Sequence, residues 1–305
     1  MRGYSDKITH NKNLHVGVNK IKFSHRRHDT ASRRQSLHGF TLIELLVVIS
    51  IIALLLSVLV PSLGKAKESA KSVICKTNIK QWGICFSLYT SEHDDKFTIG
   101  YEPARGWISY FDWIGKMKPY FEAEDLFLCP SAKKHDLTDG AIMEGVECKT
   151  GKTREAWWYR STSSTSNEPD CVGSYGMNSW INSLEAGATP QYGTPEMHWQ
   201  KSTTSKKTSL SKVPLFMDCM WLGGYSFDSD RPSTGEEMVD QIGMMSRYAV
   251  KRHKGGVNAV FLDQSVRSVG LKELWGLKWN TEFDTHNAMT QSGAVWPDWV
   301  DGNTR

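Results

Sequence analysis

Glu44 is the first residue that asks for a chemical explanation. It stands at the head of Leu45–Val60 (LLVVISIIALLLSVLV), sixteen residues with no charge and two serines. A carboxylate in such a helix costs about 2.5–3.5 kcal/mol at mid-membrane, less near the interface. An isolated anchor gains nothing from it, so the carboxylate needs a positive partner. Cleavage after Gly39 would create one, the new amine of Phe40. That amine would lie one helical turn from Glu44, or beside the Glu44 of a neighbouring subunit. A second group is His253 with Asp263, to which Asp218 is a natural third member. Those types do acid–base or metal chemistry. No second histidine at ligand spacing supports zinc, and no G-x-S-x-G nucleophile motif is present. The plainer reading is structural, with His253 before a strand and Asp263 in its turn, both in local hydrogen bonds.

Asp228, Asp230, Glu236, Glu237 and Asp240 form an acidic stretch. Calcium takes oxygen ligands from such loops, but the spacing is not that of an EF-hand, and a solvated loop is the plainer reading. Six cysteines stand at 75, 85, 129, 148, 171 and 219, without a CxxC pair. That argues against a zinc ribbon or a thioredoxin-like centre. An even count beyond an export signal suggests disulfides in an oxidising compartment, with six free thiols as the alternative. Eleven of the twelve tryptophans lie beyond residue 96. Aromatic platforms bind sugars or partner proteins, but most large aromatics are core or subunit contacts.

The elements that must position these groups follow from charge and periodicity. The 305 residues carry a net charge of +4, unevenly placed. Residues 1–39 hold nine Lys/Arg against two Asp/Glu, and the remainder is slightly acidic. Nucleic-acid binding needs a basic face on a domain; here the excess sits in a tail, so no nucleic-acid partner is expected. Residues 1–39 read as a cytoplasmic leader, long enough to suggest a true start beyond Met1. Residues 40–60 form a helix of about 31 Å, matching a bilayer core. A single such segment excludes a channel or transporter and disfavours a cytosolic enzyme. The basic flank keeps the N-terminus in the cytoplasm.

Residues 61–95 continue as an amphipathic helix, with apolar residues at Leu63, Ala66, Ala70, Val73, Ile74, Ile84, Cys85 and Leu88. Pro61 should kink it. Cys75 and Cys85 are about 15 Å apart along that helix, too far to bond. Each pairs with a head cysteine or stays free; Cys75 with Cys129, a staple from helix to sheet, is the favoured pair. Residues 96–305 form a head. Val213–Asp218 reads as a strand, and Val257–Leu262, Asp263-Gln264 and Ser265–Val269 read as a hairpin. Stretches 133–172 and 185–212 read as polar loops. The expected fold is α+β: a long N-terminal helix, half membrane-spanning and half amphipathic, packed on a head with an antiparallel β-sheet.

Gly39-Phe40-Thr41-Leu42-Ile43-Glu44 followed by an apolar helix resembles the signal of type IV prepilins and type II secretion pseudopilins. The resemblance implies cleavage after Gly39 by a prepilin peptidase, methylation of the Phe40 amine, a role for Glu44 in assembly, and a helix kink at Pro61. Cys75–Gln81, Leu128-Cys129-Pro130-Ser131, Ser174-Tyr175-Gly176-Met177-Asn178 and Arg252-His253 resemble motifs of a pseudopilin-like group. His253 and Asp263 fit its H-x9-DG motif, except that Gln264 replaces the glycine. Positive φ is easy for Gly and less so for Gln, so another turn type is expected. Plain signal anchors, secretory signals and a twin-arginine signal (Ser32-Arg33-Arg34) fit residues 38–60 less well. The resemblance implies a structural subunit rather than an enzyme. Its partners would be the peptidase, other pilin-like subunits and the inner membrane, with the head periplasmic. No cofactor is expected, calcium being the one alternative. The rival is a membrane-anchored extracytoplasmic binding protein for glycans or proteins that never polymerises. A hydrolase using His253 and Asp263 is weaker still.

Overall fold

The computed structural model describes residues 40–98, 112–121, 124–132, 140–143, 146–162, 170–184, 188–201, 209–235 and 243–301. The leader with Gly39, and Glu236, Glu237 and Asp240 of the acidic stretch, lie outside them. The chain divides into two compact units, residues through Leu54 and residues Leu55–Arg305.

Helix α1 spans Leu42–Glu92 and passes through Pro61. It is long and apolar enough to cross a membrane by length and composition, and its most apolar stretch is wholly unburied. It ends where Asp94 and Asp95 turn left-handed, at φ 54° and 59°, and the Asp95 N–H caps the Thr90 carbonyl at 2.9 Å. Aspartate tolerates that conformation better than most residues.

In the second unit α1 buries Cys75, Ile79, Trp82, Gly83, Cys85, Phe86, Tyr89 and Thr90. Of the apolar positions expected from periodicity only Cys85 belongs to this face; Leu63, Val73, Ile74, Ile84 and Leu88 are exposed. The reason is size. Trp82, Phe86 and Tyr89 recur three and four apart and carry the largest areas, so their stripe faces inward. Trp82 sits centrally, with ring contacts to Trp113, Phe121, Phe127 and Phe216.

Two sheets complete the unit. The first is an antiparallel meander of β1 (Ala141–Met143), β2 (Val146–Lys149), β3 (Trp157–Ser161) and β4 (Cys171–Gly173). It occupies part of the stretch expected to be loop. Its strands are three to five residues long and half polar, too short for alternation to show. In β2, Val146 and Cys148 point inward while Glu147 faces out to pair with Arg160.

The second sheet contains β5 (Tyr175–Asn178), β6 (Pro214–Asp218), β7 (Gly223–Gly224), β8 (Gly256–Phe261) and β9 (Val266–Gly270) in the order β7-β5-β6-β8-β9. All pairs are antiparallel except β5–β7. The strand expected at 213–218 and the hairpin at 257–269 are both there. Helix α1 closes on this sheet at Gly83, where an added Cβ would lie 2.5 Å from Gln264 Oε1 and 2.9 Å from Val260 Cγ2. One turn earlier, Lys80 Nζ donates to the Gln264 carbonyl at 2.6 Å. The architecture is the expected α+β, a long N-terminal helix with antiparallel sheets.

Candidate functional site

Two places carry chemistry. The first is the start of α1. The Glu44 N–H donates to Thr41 Oγ1 at 3.2 Å, and the Thr41 N–H and hydroxyl each donate to Glu44 Oε2 at 2.8 Å. This reciprocal cap is the T-x-x-E capping box, which supplies partners for the open N–H groups of a first helical turn. The signal stands in the sequence, and the cost of a membrane carboxylate does not reveal it. Glu44 therefore has a partner on its own helix. Phe40 beside it is 72% exposed.

The second place is a buried cluster where four separate segments meet. Cys75 comes from α1, Cys129 from the turn after the short 3-10 helix Glu124–Phe127, Asp218 from the end of β6, and His253 from the entry to β8. Their side-chain donor atoms all lie within 4.8 Å of one another, and all four residues are buried. Local structure aims each of them. His253 and Gly256 close a two-residue turn through backbone bonds of 2.9 and 3.1 Å, with Lys254 at φ 51° and Gly255 at φ 85°. Two positive φ values define the tight hairpin turn that fixes this histidine. Pro130 follows Cys129, and the Ser131 N–H donates back to Cys129 Sγ at 3.4 Å. Tyr175 of β5 stands opposite Asp218 in the strand register.

Hydrogen bonds assign the charges. Arg252 donates to Asp218 Oδ1 at 3.0 Å, and both side chains are fully buried. The guanidinium is held further by the carbonyls of Thr153, Ser174 and Lys152. The Asn258 N–H donates to Asp218 Oδ2 at 2.8 Å. Cys75 Sγ lies 3.6 and 3.7 Å from the two Asp218 oxygens, as a thiol donor. Burial pushes the Cys75 thiol well above its ordinary range, and the Cys129 and Asp218 contacts add to that. Cys129 Sγ lies 3.1 Å from His253 Nε2. Burial resists ionisation of Cys129, but the bonds from Cys75 and His253 and the Arg252 charge outweigh it and draw this thiol down to about 6. Burial likewise opposes charge on His253, yet Cys129 and Asp218 raise its pKa. The two thiols are thus driven apart, Cys75 toward its neutral form and Cys129 toward its ionised one beside His253.

The structure thus joins His253 to Asp218 and not to Asp263. Asp263 is exposed in the β8–β9 turn, where its Oδ1 accepts the Ser265 N–H at 2.9 Å and hydroxyl at 2.6 Å. Gln264 takes φ 65° in place of a glycine. Cys75 and Cys129 do meet, as the favoured pair, but as unbridged thiols facing polar partners. The missing ligand spacing argues against metal in the sequence; the four donors are scattered over the chain and only the fold assembles them. In the acidic stretch, Asp228 accepts the Asp284 N–H, and Asp230 accepts the N–H groups of Phe227 and Met245. These bonds tie loops together. Ten of the twelve tryptophans are buried and Trp296 is partly so, which removes them as a ligand platform; Trp107 lies outside the described residues.

Comparison with known proteins bears on the first place. Residues 35–60 match the family described as the prokaryotic N-terminal methylation motif. "Competence protein ComGC" of Halalkalibacterium halodurans is 31% identical over 104 residues, 34% of this chain and 87% of that protein. No solved structure matches the chain.

Proposed function

The chain belongs to the pilin-like family that carries the N-terminal methylation motif, and from that premise we propose that it is a structural subunit of a type II secretion pseudopilus or type IV pilus-like filament. A prepilin peptidase cuts after Gly39 and the new Phe40 amine is methylated. The mature subunit waits in the inner membrane, N-terminus at the cytoplasmic face and head in the periplasm, then joins other pilin-like subunits through α1. The observation that carries this reading is Leu45–Val60, apolar and exposed throughout, directly behind Phe40 and Glu44. An α-helix is one of the few structures that can place so much apolar surface in lipid, because its backbone groups are satisfied internally. Glu44 exchanges its bond to Thr41 for the Phe40 amine of a neighbour, a charged donor that forms a stronger bond than a neutral one. Pro61 bends the helix at the membrane boundary. His253 and Asp263 shape the head and do no chemistry on a substrate.

The test is the mature N-terminus, read by mass spectrometry of membrane-purified protein made with its peptidase. N-methylated Phe40 is expected. An intact leader would sink the proposal and favour an anchored binding protein that never polymerises. A cut beyond Pro61 would indicate ordinary export and a mature protein without the apolar helix.

A further inference from the structure

We infer that Cys75, Cys129, Asp218 and His253 form a structural zinc site that pins the buried part of α1 to the second sheet. Tetrahedral zinc bonds thiolate sulfur at about 2.3 Å and imidazole nitrogen or carboxylate oxygen at about 2.0–2.2 Å. The edges of such a tetrahedron run from about 3.3 Å between nitrogen and oxygen to about 3.8 Å between two sulfurs. In the cluster, His253 Nε2 and Asp218 Oδ2 are 3.4 Å apart, Cys75 Sγ and the same oxygen 3.7 Å, and Cys129 Sγ and Nε2 3.1 Å. These three edges lie within about 0.5 Å of the required ones, and all four donor atoms stand within 4.8 Å of one another before any ion arrives.

The surroundings support the carboxylate and one thiolate, while His253 Nδ1 is buried without a partner. Ligating carboxylates are normally held by an outer layer of hydrogen bonds, and Asp218 has Arg252 and the Asn258 N–H. A thiolate is supported by a backbone N–H, as Ser131 gives Cys129. The Tyr175 hydroxyl is buried beside this cluster and faces Cys75, which as a thiolate would accept from it. Charge closes as well: two thiolates and one carboxylate balance Zn²⁺ and the Arg252 guanidinium. All four corners are protein atoms, the mark of structural rather than catalytic zinc. Approach from solvent exists on two sides. His253 lines a cleft of about 390 Å³ with Ser69, Ser72, Lys76 and Gly270, and Cys129 lines one of about 480 Å³ with Asn78 and Pro130.

Loading requires both sulfurs as thiolates and His253 as a neutral imidazole, so it releases protons from the cluster and zinc retention falls in acid. The full chain in detergent is reduced, stripped with EDTA, reloaded with zinc chloride, dialysed and assayed by elemental mass spectrometry. One zinc per chain is expected for the wild type and for Cys171→Ser, a cysteine outside the cluster. Cys75→Ser and His253→Ala should bind at least about tenfold more weakly. Folding of each variant is checked by circular dichroism. A readout without variants uses cobalt(II), whose thiolate charge-transfer and tetrahedral d–d bands should develop on loading and vanish on zinc addition. Three results would each overturn the inference: a Cys75–Cys129 disulfide in the isolated chain, no metal uptake by the reduced chain, or full zinc in both variants.

Discussion

Leu45–Val60 holds no charge, and its large hydrophobic side chains are all exposed; Cys75, farther along the same helix, is buried against a carboxylate that itself pairs with an imidazole and a guanidinium. Hydrophobicity predicts burial only within one solvent. On the proposed function the apolar run lies in lipid, where a helix needs no partner from its own fold. The cluster is stable inside because each charge has an opposite charge or hydrogen bond within reach. Unpaired, those groups would carry several kcal/mol of desolvation.

The contrast can be broken at several points, and the largest effect is on assembly. Glu44→Val should leave cleavage at Gly39–Phe40 intact and abolish filament assembly, read by shearing and N-terminal mass spectrometry together. Normal assembly of that variant would remove the proposed role of the carboxylate. Next come the buried anchors. Asp218→Ala leaves Arg252 charged and unpaired in the core and should lower stability by about 3–5 kcal/mol, measured by denaturant unfolding. Trp82→Ala should cost a similar amount, about 3–5 kcal/mol. Leu55→Ala, although it deletes more apolar surface than a typical polar change, should stay within about 0.5 kcal/mol in the same assay. Equal effects at residues 55 and 82 would show that the exposed run packs on its own fold after all.

A smaller effect is expected at Gly83. The Cβ of Gly83→Ala meets the flexible end of Gln264 and a methyl of Val260, so the helix must lift or the side chains shift, for about 1–3 kcal/mol. The smallest is Asp263→Ala, which removes the bonds to Ser265 in an exposed turn and should cost about 1 kcal/mol. It should leave zinc content unchanged. Loss of metal in that variant would mean that Asp263, and not the buried Asp218, governs the site.

The N-terminal signal, the helix, the strand at 213–218 and the 257–269 hairpin were legible because each has a local cause: uninterrupted apolar residues, or a β-rich run bounded by turn residues. The meander was not legible, since its strands are too short to show a period. The buried face of α1 differs from the periodic one because a stripe of aliphatic side chains sits beside the aromatic one, and only packing decides between them. The capping box was written in Thr41-Leu42-Ile43-Glu44 all along. No comparable local signal marks the cluster, whose members are separated by 54, 89 and 35 positions in the chain.

By itself the sequence determined the membrane-length helix with Glu44 at its head, and through Gly39–Phe40 the family. Those properties depend on neighbours within a few turns of chain. Only the tertiary structure decided that His253 faces Asp218 instead of Asp263, and that Cys75 and Cys129 meet with a carboxylate and an imidazole between α1 and β8. Such a constellation is set by strand register and helix docking, which arise from the whole fold and leave no periodic trace along the chain.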